Sequence, residues 1–413
     1  MKLVKKAAAL LAVCAIAVGM TACGTSNDSQ IVAENENTKI TMGAYAYCMY
    51  SAYYEASYYV PDATKSILSQ EINGQPAEDW MRARALESMK SMFVIDAKAK
   101  EVGFSLTDQE RKVIDTNMDQ AWATSKEQFS QYGITKEGAK QCFYDFNAKF
   151  AGVFQAIYGE GGEKAIPVEE KKNYLIEHYT DFAYFTKSIA SLSDEDKAAA
   201  KATLDGYVAS INDGSKTVEQ VAEEYKTAES LSADPLKTVV TDLTNNTEYA
   251  QYYPEMVAAL TEMQPGEARV VETGSSYMVV VKNDINATAD EKLKDESVDL
   301  QVLAALKEQE YITDMNALVE SYTDYTLHED VINSFDPSVF EKSNDTSSAE
   351  STPASSAVSE ASEDTTSSET STSNSQKNGC MIMHPFFCIT ILKNSAYCPV
   401  HVRRLQSKFH TIQ

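Results

Sequence analysis

Histidine is scarce in this chain, five in 413 residues, and only His178 and His328 lie between the N-terminal leader and the Ser-rich tail. Chemistry that needs a side chain titrating near neutral pH therefore has few carriers. The phrases GxSxG, HExxH and the P-loop are all missing, so no nucleophile elbow, zinc-protease helix or phosphate cradle is available. Positive charge is short as well: 36 Lys and Arg stand against 61 Asp and Glu, a net charge of −25. Phosphate recognition wants clustered cations, so this balance argues against nucleic acid and anionic membrane surfaces as partners. It suits an exported protein kept soluble by acid. Seven cysteines make no disulfide framework. Cys48 and Cys142 fall in helical patterns and read as small buried hydrophobes, with a disulfide between them as the alternative. Cys380, Cys388 and Cys398, with His384 and His401, match no closed zinc spacing. No metal and no cofactor is expected.

What the chain does have begins at its N-terminus. Lys2, Lys5 and Lys6 precede the apolar run Ala7–Val18, too short to span a bilayer and suited to a signal-peptide core. The run ends in Met20-Thr21-Ala22-Cys23, which resembles the lipobox of bacterial lipoproteins, with Met where Leu is usual. That resemblance implies cleavage after residue 22 and diacylation of the Cys23 thiol, against an ordinary secretory signal as the alternative. The Ser- and Asn-rich residues 23–30 read as a lipidated, flexible tether. The expected location is extracytoplasmic, lipid-anchored to the membrane of a bacterium of Gram-positive type.

Residues 31–41 read as an extended lead-in, and Met42–Tyr59 as a helix whose Tyr47, Tyr50, Tyr54 and Tyr58 recur at helical spacing, as a core stripe or a peptide-binding one. Glu78–Val102 is a long amphipathic helix ended by Gly103, and Thr107 to Glu110 is a capping box for the next. Phe143, Phe146, Phe150, Val153 and Ile157 form an apolar seam, and Pro167–Tyr179 is a further helix. Phe182–Leu192 reads as a strand, Ser193 caps an Ala-rich helix, and Thr217 with Gln220 boxes another. After an irregular stretch with one short strand near Thr238–Val240, the segment Tyr252–Asp284 gives a helix from Pro254 to Met263 and a hairpin of Ala268–Glu272 and Tyr277–Lys282. A last helix carries Leu300, Ala304, Tyr311, Met315, Leu318 and Tyr322 on one face. Residues 342–376 are almost wholly Ser, Thr, Glu, Ala and Asp and should be disordered. Residues 377–413 change character abruptly and read as a tail of unknown role.

Ile95–Glu110 (IDAKAKEVGFSLTDQE) resembles the N-terminal helical module of the PrsA and SurA foldases, and the order from Phe182 to Lys282 resembles a parvulin-type peptidyl-prolyl isomerase domain. The resemblance implies an α+β protein: a mostly helical chaperone body, residues 31–180 completed by a helix in 286–330, with a β-α-α-α-β-β parvulin-like domain inserted at 181–285. Parvulins hold an X-Pro bond in an apolar cup between two facing histidines. Carried over, the first histidine falls at Ser188, or at Lys187 on a shift of one, and the second at Tyr277; the cup falls at Tyr252 and Met256. The family's GGDLGW segment has no counterpart in Thr227–Asn246. The implied function is a membrane-anchored folding factor that binds unfolded or partly folded exported polypeptides, with an isomerase site lacking its histidines. A homodimer is left open. A working prolyl isomerase is one alternative. A solute-binding lipoprotein of a transporter is another, but it calls for alternating strand–helix units that this chain does not offer.

Overall fold

The structure, a computed structural model, describes residues 27–342; the signal segment, Cys23, the low-complexity run and the tail with its cysteines lie outside them. In chain order the elements are β1 (Ile31–Glu34), β2 (Lys39–Thr41), α1 (Met42–Ala56), β3 (Glu71–Ile72), β4 (Gln75–Pro76), α2 (Ala77–Glu101), α3 (Asp108–Gln131), α4 (Lys136–Ala139), α5 (Phe146–Tyr158) and α6 (Val168–His178). There follow β5 (Thr180–Ser188), α7 (Asp194–Asn212), α8 (Val218–Ala228), β6 (Lys237–Thr241), α9 (Thr247–Tyr252), α10 (Pro254–Glu262), β7 (Ala268–Thr273), β8 (Ser276–Lys282), α11 (Ile285–Lys292), α12 (Glu296–Ser321), β9 (Thr326–Leu327), α13 (Glu329–Asn333) and α14 (Val339–Lys342). The class is α+β, helices with small antiparallel sheets. Among the described residues no helix is long and apolar enough to cross a membrane.

The chain divides into two compact units. The first comprises residues 27–89, 112–145 and 323–342. Its three-stranded sheet runs β2-β1-β9, with Ala33 opposite Leu327 and Glu34 opposite Thr326. Helix α1 starts where Thr41 accepts a hydrogen bond from the Ala44 amide. It lies unusually close to α4, because a Cβ at Gly138 would collide with the backbone of Gly43. Ala44, Tyr45, Met49 and Ala52 are buried. The tyrosine stripe resolves into a gradient. Tyr50 stacks on Tyr132 with centroids 5.5 Å apart, Tyr47 packs edge-on against Phe129, and Tyr58, past the helix end, is 61% exposed. Cys48 and Cys142 are free buried thiols with sulfurs 3.8 Å apart, Cys142 lying on a π-helical turn over Lys140–Asp145.

The second unit comprises residues 90–111 and 146–322. In it Tyr311 of α12 sits among Phe150, Phe154 and Tyr158 of α5 and donates to the Phe150 carbonyl at 3.0 Å. Leu300, Ala304, Tyr311 and Met315 are buried as their spacing predicts, but Leu318 is exposed. Leu175 of α6 packs with Ala289 of α11 and Val302 of α12. The four-stranded sheet has the order β6-β5-β8-β7, every pair antiparallel. Helices α7 and α8 cover one face, and α9 and α10 lie over the other. Its one fully buried carboxylate, Asp181, is satisfied by Asn283 at 2.8 Å, Thr288 at 2.9 Å and Lys292 at 3.3 Å, as a charge withdrawn from water must be.

Candidate functional site

Alternation along β5 decides what each face of the four-stranded sheet offers. Ala183 and Phe185 point toward α7 and α8, and Phe182 and Tyr184 toward α10. On β8, Tyr277 and Val279 take the first face and Met278 and Val280 the second. Lys282 continues that second face, its Nζ donating to the carbonyls of Leu260 and Met263 at the end of α10.

The α7–α8 face is closed. Phe185, Ile189, Leu204, Val221, Tyr225, Tyr277 and Val279 are all buried there. Tyr225 reaches across to donate to the Thr186 carbonyl at 3.1 Å, and burial pushes its phenol up to about 12. Tyr277 belongs to this packed layer.

The α10 face is closed at one end and open at the other. Phe182, Met256, Leu260, Met263, Met278 and Val280 are buried. Beyond them Tyr184 and Tyr249 are half-buried, and Thr186 and Ser188 are exposed. The rings form a continuous array. Phe182 stacks on Tyr184 (6.1 Å, 25°) and meets Tyr249 edge-on (5.8 Å, 83°), and Tyr249 lies 6.0 Å from Tyr253. The N-cap of α9 fixes Tyr249: the Asn246 side chain accepts from the amides of Glu248 and Tyr249. Pro254 then opens α10 and places Met256 beneath the array. Burial raises the phenols of both Tyr184 and Tyr249 above their ordinary range. These two phenols are therefore neutral at any physiological pH.

The ladder takes the register shifted by one, with Lys187 and not Ser188 as the neighbour of Tyr277. Tyr277 stands opposite Lys187, and Ser188 opposite Ser276. Tyr277 lies in the layer under α7 and α8, while Ser188 alternates onto the α10 face, so the two do not meet across a cup. Met256 is fully buried on the α10 face, and Tyr252 is 56% exposed at the end of α9. On the face that holds Met256 the facing residues are Thr186 and Met278. Reasoning from the sequence missed these two, together with Tyr184 and Tyr249. The usable signal was the period of two counted from Phe182, since a slip of one residue exchanges the faces.

Chemically, this site offers aromatic and thioether surface with two hydroxyls, Thr186 and Ser188, at its rim. Among the described residues no cluster suited to a metal ion occurs. Such a surface binds apolar or aromatic side chains and proline rings by stacking and desolvation.

No family model matches the chain, and no curated protein matches it. Among the solved structures similar to it are two of PrsA. PrsA from Bacillus subtilis is 15% identical at a TM-score of 0.30, the match covering 72% of this chain and 94% of that one. The foldase protein PrsA from Streptococcus pneumoniae is 14% identical at a TM-score of 0.30, covering 61% of this chain and 94% of that one.

Proposed function

We propose that this protein is an extracytoplasmic folding factor that binds unfolded or partly folded exported polypeptides and is anchored to the membrane through an acylated Cys23. Residues 181–285 act in this reading as a parvulin-like binding platform without isomerase chemistry. The half-open aromatic face carried by Tyr184, Tyr249 and Tyr253 above Met256 and Met278 supports it. Prolyl isomerisation asks a site to favour a twisted amide over a barrier of about 20 kcal/mol. The facing pair Thr186 and Met278 supplies neither a charge nor a titrating group toward that end. A surface that binds without turning over is a holdase.

The test is refolding of a proline-limited client at rising ratios of the mature protein. Suppressed aggregation only near one-to-one is the expected result. Acceleration at catalytic amounts would make the protein a working prolyl isomerase. No effect of either kind would remove both folding roles and favour a solute-binding lipoprotein.

A further inference from the structure

The sequence suggests a loose tether over residues 23–30, yet its last four residues are held by the first unit. The Asn27 side chain donates to the Gly133 carbonyl at 2.7 Å, and its own carbonyl accepts from the Gly43 amide at 3.3 Å. The Gln30 carbonyl accepts from the Met42 amide at 2.8 Å, and Thr135 donates to the Asp28 carboxylate. Asn27 sits so tightly that a side chain on Gly133 would come within 2.9 Å of it, at a position whose φ of +74° already demands glycine. The chain is thus fastened to a corner built from the start of α1, the Gly133 turn and the Thr135 N-cap of α4.

We infer that this corner is the surface the protein lays against the lipid bilayer. The inference rests on the proposed acylation of Cys23. Four peptide steps separate Cys23 from Asn27, which fully extended reach no more than about 14 Å. That is a headgroup-layer distance from the acyl-bearing sulfur, so the corner cannot leave the membrane surface while Asn27 remains seated. Charge does not supply the attraction. Lys136 is paired with Asp119, Lys140 with Asp115 and Lys39 with Glu34, and the whole chain is strongly acidic. The partner is therefore a bilayer held by tether length, and its anionic lipid content is immaterial.

The experiment uses the full lipidated protein in phosphatidylcholine vesicles carrying a nickel chelator on the headgroups. A nitroxide is placed on exposed Gln131, beside the corner, as Gln131→Cys in a background carrying Cys380→Ser, Cys388→Ser and Cys398→Ser, labelled in the folded protein so that buried Cys48 and Cys142 stay protected. Flotation with the vesicles reads the anchor, and relaxation of the nitroxide by nickel reads the surface. The expected result is strong relaxation that falls severalfold when a long Gly/Ser segment is inserted between Ser26 and Asn27, and that is unchanged when phosphatidylglycerol is added. Protein that floats but shows equal, weak relaxation with short and long tethers overturns the surface alone. Protein that does not float removes the anchor and the surface with it.

Discussion

The two faces of the four-stranded sheet are made from the same strands and nearly the same residue types, yet only one is available for work. Under α7 and α8 Ala183, Phe185 and, just past β5, Ile189 are all buried, and the Tyr225 hydroxyl is taken up by a backbone carbonyl. Under α10 the layer stops at Phe182, Met278 and Val280, because α9 and α10 together are too short to cover the far end of β5. Tyr184, Tyr249 and Tyr253 are left there with edges in water. Closure is thus decided by helix length over the strand rather than by composition, and the half-covered end is where binding is expected.

The largest effect should come from the closed face. Phe185→Ala empties a fully buried ring site and is expected to cost about 3–5 kcal/mol in denaturant unfolding, with polypeptide binding by the folded protein unchanged. A loss of binding at constant stability would erase the contrast between the faces. On the open face, the pair Tyr184→Ala and Tyr249→Ala should do the opposite. Each ring contact is worth about 0.5–1.5 kcal/mol, so peptide affinity is expected to drop about tenfold in a fluorescence titration while the protein stays folded. Tyr277→Phe should leave binding untouched, since that ring faces the other layer. A smaller effect sharpens the closed face. The capping box of Thr217 and Gln220 starts α8, and Thr217→Ala should cost about 1 kcal/mol in thermal or chemical unfolding.

The smallest effect lies in the same unit but outside the sheet. Hydrogen bonds from Lys307 and then Lys164 hold the Glu310 carboxyl at about 2. A folded pKa below the ordinary 4.5 means the contribution is complete above that value and is lost as the pH falls toward 2. Glu310 is exposed, so the contribution is on the order of a few tenths of a kcal/mol. Lys164→Met should flatten the acid limb of stability by that little, measured by urea unfolding across the range, and leave binding at neutral pH unaltered.

Most of the local structure was legible from the chain. The boxes at Thr107 and Thr217, the Ser193 cap, Pro254 at the start of α10 and the helix end at Gly103 (φ +71°) are short-range chemistry, and each sits where the sequence puts it. Pairings distant in sequence were not legible. The lead-in strand β1 pairs locally with β2 but finds its second partner in Thr326–Leu327, two residues with no strand signal of their own. The site was half legible. Met256 and the Tyr-rich approach to Pro254 stand out in the sequence, but matching phrases placed the facing pair at Ser188, or Lys187, and Tyr277; the ladder pairs Lys187 with Tyr277, and the pleat puts Thr186 and Met278 on the Met256 face. Leu318 shows the same limit in a helix: periodicity names a face, and only the neighbouring chain decides how far along that face is covered.

The pairing of β1 with β9 also sets a timetable. His328 approaches Glu34 across 294 residues of sequence, and its amide donates to the Val32 carbonyl at 2.9 Å. A chain that emerges from an export channel N-terminus first can pair its opening strand with β2 almost at once, but must hold the other edge of that strand open until nearly all the described residues have followed. The sheet of residues 180–282, whose pairings all lie within about a hundred residues, has its full complement of strands well before then. For the interval between those two moments the nascent protein is itself an unfinished polypeptide with an exposed strand edge, in the same condition as the chains it is proposed to bind.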